Sequence, residues 1–283
     1  MKIVLGRDDL AAAALEAAPG AERLDIKPVH KASKGFVNNA AADVCELAVV
    51  TLLQAAAYDK PVALLPVTML GRHQHQTLVT MGGLGAADVW GRSVGVRSWS
   101  QTTGVWLRGF LTDEYDVNLS EVDWRTYEDG HIAEYTDPAW VKRAPEGTKL
   151  QADFLEGRLD FGIMGNELPA DDRIRTAIPD ALDVAAAWAA REGFVPVNHV
   201  VAFGPGFAHE DPKSVLAVYD ALAEAITGPA ELNPVGFEAL RAPVTRVARY
   251  AYEQEVLPRR VEFDELVERT CSVLGVPASR LGG

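Results

Sequence analysis

The sequence predicts an α/β fold in two lobes that close on a central cleft, and three observations carry that expectation. Short apolar runs alternate with helical patterns through the first half, as in a largely parallel sheet. A second unit of the same kind begins after the loosened stretch containing Gly82, Gly83 and Gly85. Three helical segments then follow with no strand of their own and need apolar surface to cover, for which the sheet of the opening segments is the nearest unfinished one. The chain therefore leaves lobe one, builds lobe two and returns, with crossing strands near His75 to Thr80 and near Val195 to Phe203. Residues 1–80 with 197–283 are expected in lobe one and 81–196 in lobe two.

The elements follow in order. Lys2 to Leu5 reads as a strand, Asp8 to Ala18 as an Ala-rich helix closed by Pro19-Gly20, and Arg23 to Val29 as a second strand. Asn38 to Tyr58 has apolar residues at helical spacing, and Pro61 to Val67 suits a buried strand. In lobe two, a turn at Ala86 to Trp90 precedes a strand at Ser93 to Val96 and a helix from about Thr103 to Tyr115. Beyond the polar stretch Asn118 to Thr148 come a helix at Leu150 to Glu156, a strand at Leu159 to Met164 and a helix at Leu182 to Arg191. The run Val195 to Phe203 is a strand, followed by helices at Pro212 to Ile226, Pro234 to Tyr252 and Phe263 to Leu274.

Composition narrows the partners. With 283 residues, 48% hydrophobic and 24% charged, the chain has the make-up of a soluble globular protein long enough for two cores. Lys and Arg number 27 against 40 Asp and Glu, a formal charge of -13, which disfavours nucleic acid and anionic membrane surfaces as partners. A small anion would have to be held by a local cluster of donors. Cys45 and Cys271 lack a metal-ligand or CxxC spacing and read as reduced thiols. No apolar signal-peptide core or membrane span is present in the sequence, so a cytoplasmic location is expected; the pattern is compatible with a homo-oligomer.

The most informative stretch runs from Gly91 to Gly109, where a strand empties into a loop of Ser, Gln and Thr and a helix begins at once. Unpaired N–H groups and the hydroxyls of Ser98, Ser100, Thr102 and Thr103, with Gln101, would face a carboxylate or phosphate; equally, Ser100, Thr102 or Thr103 would serve to cap the helix. The H-x-H of Arg72-His73-Gln74-His75 would suit a metal on an extended segment, but no third ligand stands at diagnostic spacing, so no metal is assigned and a single histidine facing the cleft as proton donor is preferred. His199 lies inside an apolar run, as a buried neutral histidine or as a partner for His75 across the cleft floor. Lys34, in the loop His30 to Gly35, would add positive charge at the sheet edge or be a solvated basic residue. Asp43 and Glu46 are expected to open or cap the following helix, with Glu46 a candidate carboxylate in the site. Asn166, in Gly165-Asn166-Glu167, ends a lobe-two strand facing the cleft. The acid-rich stretch Glu121 to Glu134 reads as solvated surface, and His131 and His209 carry no assigned role.

Gly91 to Tyr115 (GRSVGVRSWSQTTGVWLRGFLTDEY), with Asp43 to Leu53, Pro66, Arg72 to His75 and Phe194 to Val201 (FVPVNHVV), resembles the 4,5-dihydroxyphthalate decarboxylase family, itself similar to type II periplasmic solute-binding proteins. The resemblance runs from about residue 24 to 225, and WSQTTGVWLRG is its specific part. It implies a Venus-flytrap fold and points to Arg72, His75, Ser98, Ser100, Gln101, Thr102, Arg108 and His199. The sequence departs from the family in a shorter N-terminal portion and in His73-Gln74, where the family has an aromatic and a basic residue. The implied activity is loss of CO₂ from a hydroxylated aromatic or related cyclic acid, with His75 or His199 as general acid, and with Arg72 and the Ser100–Thr103 loop as carboxylate clamp. Lobe closure would expel water, and the chemistry requires no metal or organic cofactor in principle. The same clamp would also suit a solute-binding protein delivering a small anion to an ABC importer, or a related clamp enzyme acting on a cyclic acid by elimination. A ligand-sensing domain is disfavoured, because no DNA-binding or kinase module is attached.

Overall fold

The computed structural model describes residues 1–165 and 167–283. The chain opens with strand β1 (Lys2–Val4), helix α1 (Asp8–Ala17) and the short strand β2 (Glu22–Arg23). Helix α2 (Ser33–Asn39), strand β3 (Val44–Ala48), helix α3 (Val49–Ala57) and the long strand β4 (Ala63–Gly71) follow. The second lobe holds β5 (Leu78–Thr80), β6 (Ser93–Val96), α4 (Thr102–Tyr115), β7 (Asp123–Thr126) and β8 (Lys142–Arg143). It continues with α5 (Leu150–Leu155), β9 (Phe161–Ile163), β10 (Arg175–Thr176) and α6 (Ala181–Glu192). Strand β11 (Val197–Phe203) re-enters the first sheet, and α7 (Pro205–Glu210), α8 (Pro212–Ala225), α9 (Phe237–Glu253) and α10 (Phe263–Leu274) complete the molecule.

Two sheets result. The first has the order β2-β1-β3-β11-β4, parallel except for β11, which runs antiparallel to both neighbours; the second has the order β10-β5-β9-β6-β7-β8. The two-lobed α/β architecture expected from the alternating pattern is the one found. Helix α8 packs on α1 and α10 on β4, as expected of elements seeking a sheet to cover. Helix α9 does more, because it also docks on α4 of the second lobe. Gly109 permits this approach: a Cβ there would come 2.3 Å from the Tyr250 ring.

Several expectations are corrected. Residues 38–58 are not one helix but the end of α2, then β3 and α3 in direct succession. Val44, Cys45, Glu46 and Leu47 are all buried because β3 lies inside the sheet, and such an unbroken buried run carries no period that distinguishes strand from helix. Asp43 and Glu46 consequently belong to the strand region and open no helix. The second strand stops at Arg23 rather than Val29, and Val29–Ala32 is a 3₁₀ turn. His75–Thr77 is also a 3₁₀ turn, and Leu78–Thr80 pairs with β9 of the second sheet, so the first crossing lies before Leu78 instead of running to residue 80.

Candidate active site

Two helices begin at the cleft, one from each lobe. Helix α3 springs from β3 at Ala48, and α4 springs from the loop after β6 at Gln101; neither N-cap residue uses its side chain as a cap. The starts abut, with the Val50 N–H donating to Thr102 Oγ1 at 3.3 Å. Between them lies a cavity of about 310 Å³. First-turn N–H groups and the positive ends of both helix dipoles make such a place favourable for anions.

Of the residues the sequence proposed, Arg72, Ser98, Ser100, Gln101, Thr102, Thr103 and His199 line this cavity. The floor is tied across the crossing segments. Gln74 Nε2 donates to Asn198 Oδ1, Asn198 Nδ2 and Arg72 Nη2 each donate to Thr103 Oγ1 at 3.3 Å, and the Arg72 N–H donates to Pro196 O at 3.0 Å. Burial pulls the Arg72 guanidinium below its ordinary value, and Glu167 across the cavity partly offsets this. Gly165 leaves room for the guanidinium, since a Cβ there would stand 2.5 Å from Nη2.

His199 and Glu46 form the central pair. In the antiparallel register Val201 opposes Glu46 and His199 opposes Ala48, which puts the two side chains diagonally on one face. Glu46 Oε1 is 2.6 Å from His199 Nδ1, and Oε2 accepts the Gly6 N–H at 2.8 Å. Burial pushes the Glu46 carboxyl up, but the bonds from His199 and Gly6 outweigh it and the net displacement is downward, so the group is a carboxylate. The carboxylate fixes the ring's orientation through Nδ1 and leaves Nε2 for the cavity.

Other proposed residues lie elsewhere. His75 does not line the cavity and does not meet His199 there. It is buried behind α4, stacked on Phe110 with ring centroids 4.2 Å apart and tilted against Trp188. Neither of its ring nitrogens has a hydrogen-bond partner among the described residues, and burial lowers its pKa to about 4, which suits a packed neutral ring rather than a donor in the cleft. Arg108 is likewise packed: it donates to Gln254 Oε1 and Trp99 O, and its guanidinium carbon lies 3.6 Å from the Trp99 ring centroid. Lys34 lines a second depression that shares His30, Glu128, Asp129 and His131 with the cavity. Asn166 lies outside the described residues.

Sequence reasoning missed part of the lining. His30 accepts from Arg97 Nη1 at 3.0 Å, and burial, then Arg97, hold its pKa down. His131, from the stretch read as solvated surface, turns inward; the apolar Ile132 and Tyr135 beside it, both buried, were the available signal.

The fold belongs to the class of two-lobed α/β folds. It is shared with the periplasmic aliphatic sulphonate binding protein SsuA of Escherichia coli at TM-score 0.52 and 9% identity, covering 99% of this chain and 76% of that one. The desulfurization enzyme DszB aligns at TM-score 0.54 and 16% identity over 97% of this chain and 98% of its own. In sequence, the chain is similar to 4,5-dihydroxyphthalate decarboxylase of Comamonas testosteroni, 27% identical over 186 residues, which are 60% of this chain and 56% of that protein. The enzyme of that name from Pseudomonas putida is 27% identical over 139 residues, 45% of this chain and 54% of its own. The chain thus spans about half the length of the curated relatives it matches. No family model matches it.

Proposed function

We propose that the protein is a cofactor-independent decarboxylase acting on a hydroxylated aromatic or related cyclic carboxylic acid bound between the lobes. The observation that carries this reading is the Glu46–His199 pair at a cavity that also holds Arg72 and the starts of two helices. The similarity to two 4,5-dihydroxyphthalate decarboxylases supports the reaction class.

Arg72, the Thr103 hydroxyl and the first N–H groups of α4 hold a carboxylate of the substrate. The ring hydroxyl loses its proton to solvent as the substrate binds, and His199 Nε2–H then gives a proton to the ring carbon that bears the departing carboxylate, forming a dienone. The pair of electrons in the C–CO₂ bond then moves through the ring to the dienone oxygen, CO₂ leaves, and when the lobes open solvent returns one proton to that oxygen and one to His199, restoring the hydroxyarene and the acid. One carboxylate and one proton become one arene and one CO₂, with no redox change. Glu46 carries the counter-charge for the His199 ring, and closure of the lobes keeps water from competing for the proton.

Incubating the protein with a panel of hydroxylated aromatic and heterocyclic mono- and dicarboxylates tests the reading. At least one acid is expected to yield CO₂ and the matching arene in equal amounts. Thermal stabilisation by an acid of the panel with no CO₂ from any of them would instead establish a solute-binding protein.

A further inference from the structure

The reading above leaves one chemical task without a residue: stabilising the oxygen that receives the electron pair. His131 stands at the place for it. It reaches from the loop between β7 and β8 across the cleft, and its Nδ1 lies 2.8 Å from Thr51 Oγ1 in the first turn of α3. Its backbone is pinned to lobe one on both sides: Asn38 Nδ2 donates to His131 O at 2.8 Å, and Asn38 Oδ1 accepts the Ala133 N–H at 3.2 Å. The ring lines the cavity, and Nε2 has no hydrogen-bond partner among the described residues.

Two features define the ring's chemistry. Thr51 is 2% exposed and His131 Nδ1 is the side-chain partner of its hydroxyl, so the hydroxyl proton is placed to go to Nδ1, and the ring's own hydrogen then sits on Nε2. Around the ring stand Arg97, His30, Lys34 and His199, with the acids Glu128 and Asp129 at the cavity edge engaged by Arg97 and Arg143. Burial, followed by Arg97 and the other groups around it, lowers the ring's pKa to about 4, so near neutrality it is an uncharged N–H donor. Such a donor stabilises an oxyanion without handing over its proton.

We infer that His131, with its tautomer set by Thr51, directs Nε2–H at the ring oxygen of the substrate that becomes a phenolate oxygen as CO₂ departs. This rests on the decarboxylase reading for its catalytic meaning, but not for its physical content, which is stabilisation of a bound aryloxide. The probe is 4-hydroxy-3-nitrobenzoate, whose phenolate absorbs in the visible, titrated while bound to wild type and to His131→Leu, His131→Gln and Thr51→Val. On wild type the probe is expected to ionise at least tenfold more readily than on His131→Leu. The Gln variant, which keeps an N–H donor, retains most of the effect, and Thr51→Val loses part of it. With a substrate that releases CO₂, His131→Leu lowers kcat about 10²–10³-fold with little change in KM. Equal ionisation on wild type and the Leu variant, or no enhancement on wild type, overturns the inference. A His131-dependent enhancement with no CO₂ from any acid leaves the inference standing and overturns the decarboxylase reading instead.

Discussion

The cavity and the aromatic block behind α4 are made from the same kinds of residue, yet only one of them leaves polar groups facing a void. Each contains an arginine and a histidine: the partly buried Arg72 and His199 in the cavity, the buried Arg108 and His75 in the block. In the cavity the two side chains, carried by the crossing segments, are held by Thr103 of α4 and Glu46 of β3 and also line a void. In the block Trp99, Phe110 and Trp188 close over them, so charge and lone pairs are consumed by packing or left unused. Residue type alone therefore does not identify a site; what distinguishes the cavity is a fixed polar group with one face unoccupied by protein.

The sharpest way to break that contrast is at the central pair. His199→Gln or Glu46→Gln is expected to lower kcat on any decarboxylated acid by about 10²–10⁴-fold, the usual worth of a positioned proton donor, with the thermal midpoint little changed. Steady-state rates and melting curves on the same preparations read the two effects separately. In the block the pattern reverses: Arg108→Ala leaves Gln254 Oε1 and Trp99 O without their donor and opens a cavity beside Trp99. Urea unfolding should therefore show a loss of about 3 kcal/mol.

Acid sharpens the comparison further. His75 and His131 both sit at about 4 in the folded protein, below their ordinary 6.5. Between those values the unfolded chain binds protons that the folded protein does not. Each ring thus contributes a loss of stability as pH falls from 6.5 towards 4, at most about 1.4 kcal/mol per pH unit. His75→Phe should remove its share of the slope in unfolding free energies measured across that window. The smallest effect is expected from the same variant at neutral pH. A second phenyl ring against Phe110 replaces one whose nitrogens have no partners, so stability should change by no more than about 1 kcal/mol and turnover should be unaffected.

Legibility followed the range of the interactions. The strand Ser93–Val96 and the helix after it were readable because strand, polar loop and helix are consecutive and their patterns local. The same locality exposed the helix start that contributes Ser98 and Ser100 to Thr103 to the cavity. Residues 38–58 were misread because β3 is buried by β1 and β11, a partner from far along the chain that no window around Val44 contains. His75 and His199 looked alike for the same reason: one ring meets Phe110 and the other meets Glu46, and both encounters are set by tertiary structure. His131 escaped notice inside an acidic stretch, because its inward turn depends on Asn38 and Thr51 of the other lobe.

The antiparallel strand at the centre of the first sheet also constrains the order of assembly. β3 and β4 are not hydrogen-bonded to each other; β11 lies between them and pairs with both. Until β11 has been made, the first sheet exists as two fragments with open edges, so its completion is a long-range event that costs loop-closure entropy and tends to be slow. A nascent chain ending before β11 presents those edges to other chains, a hazard that a holding chaperone would relieve. Since β11 also carries His199 and begins at the second crossing, the proposed ligand, gripped in the cleft, would tighten the strand that finishes the sheet, and its supply would protect the protein against proteolysis.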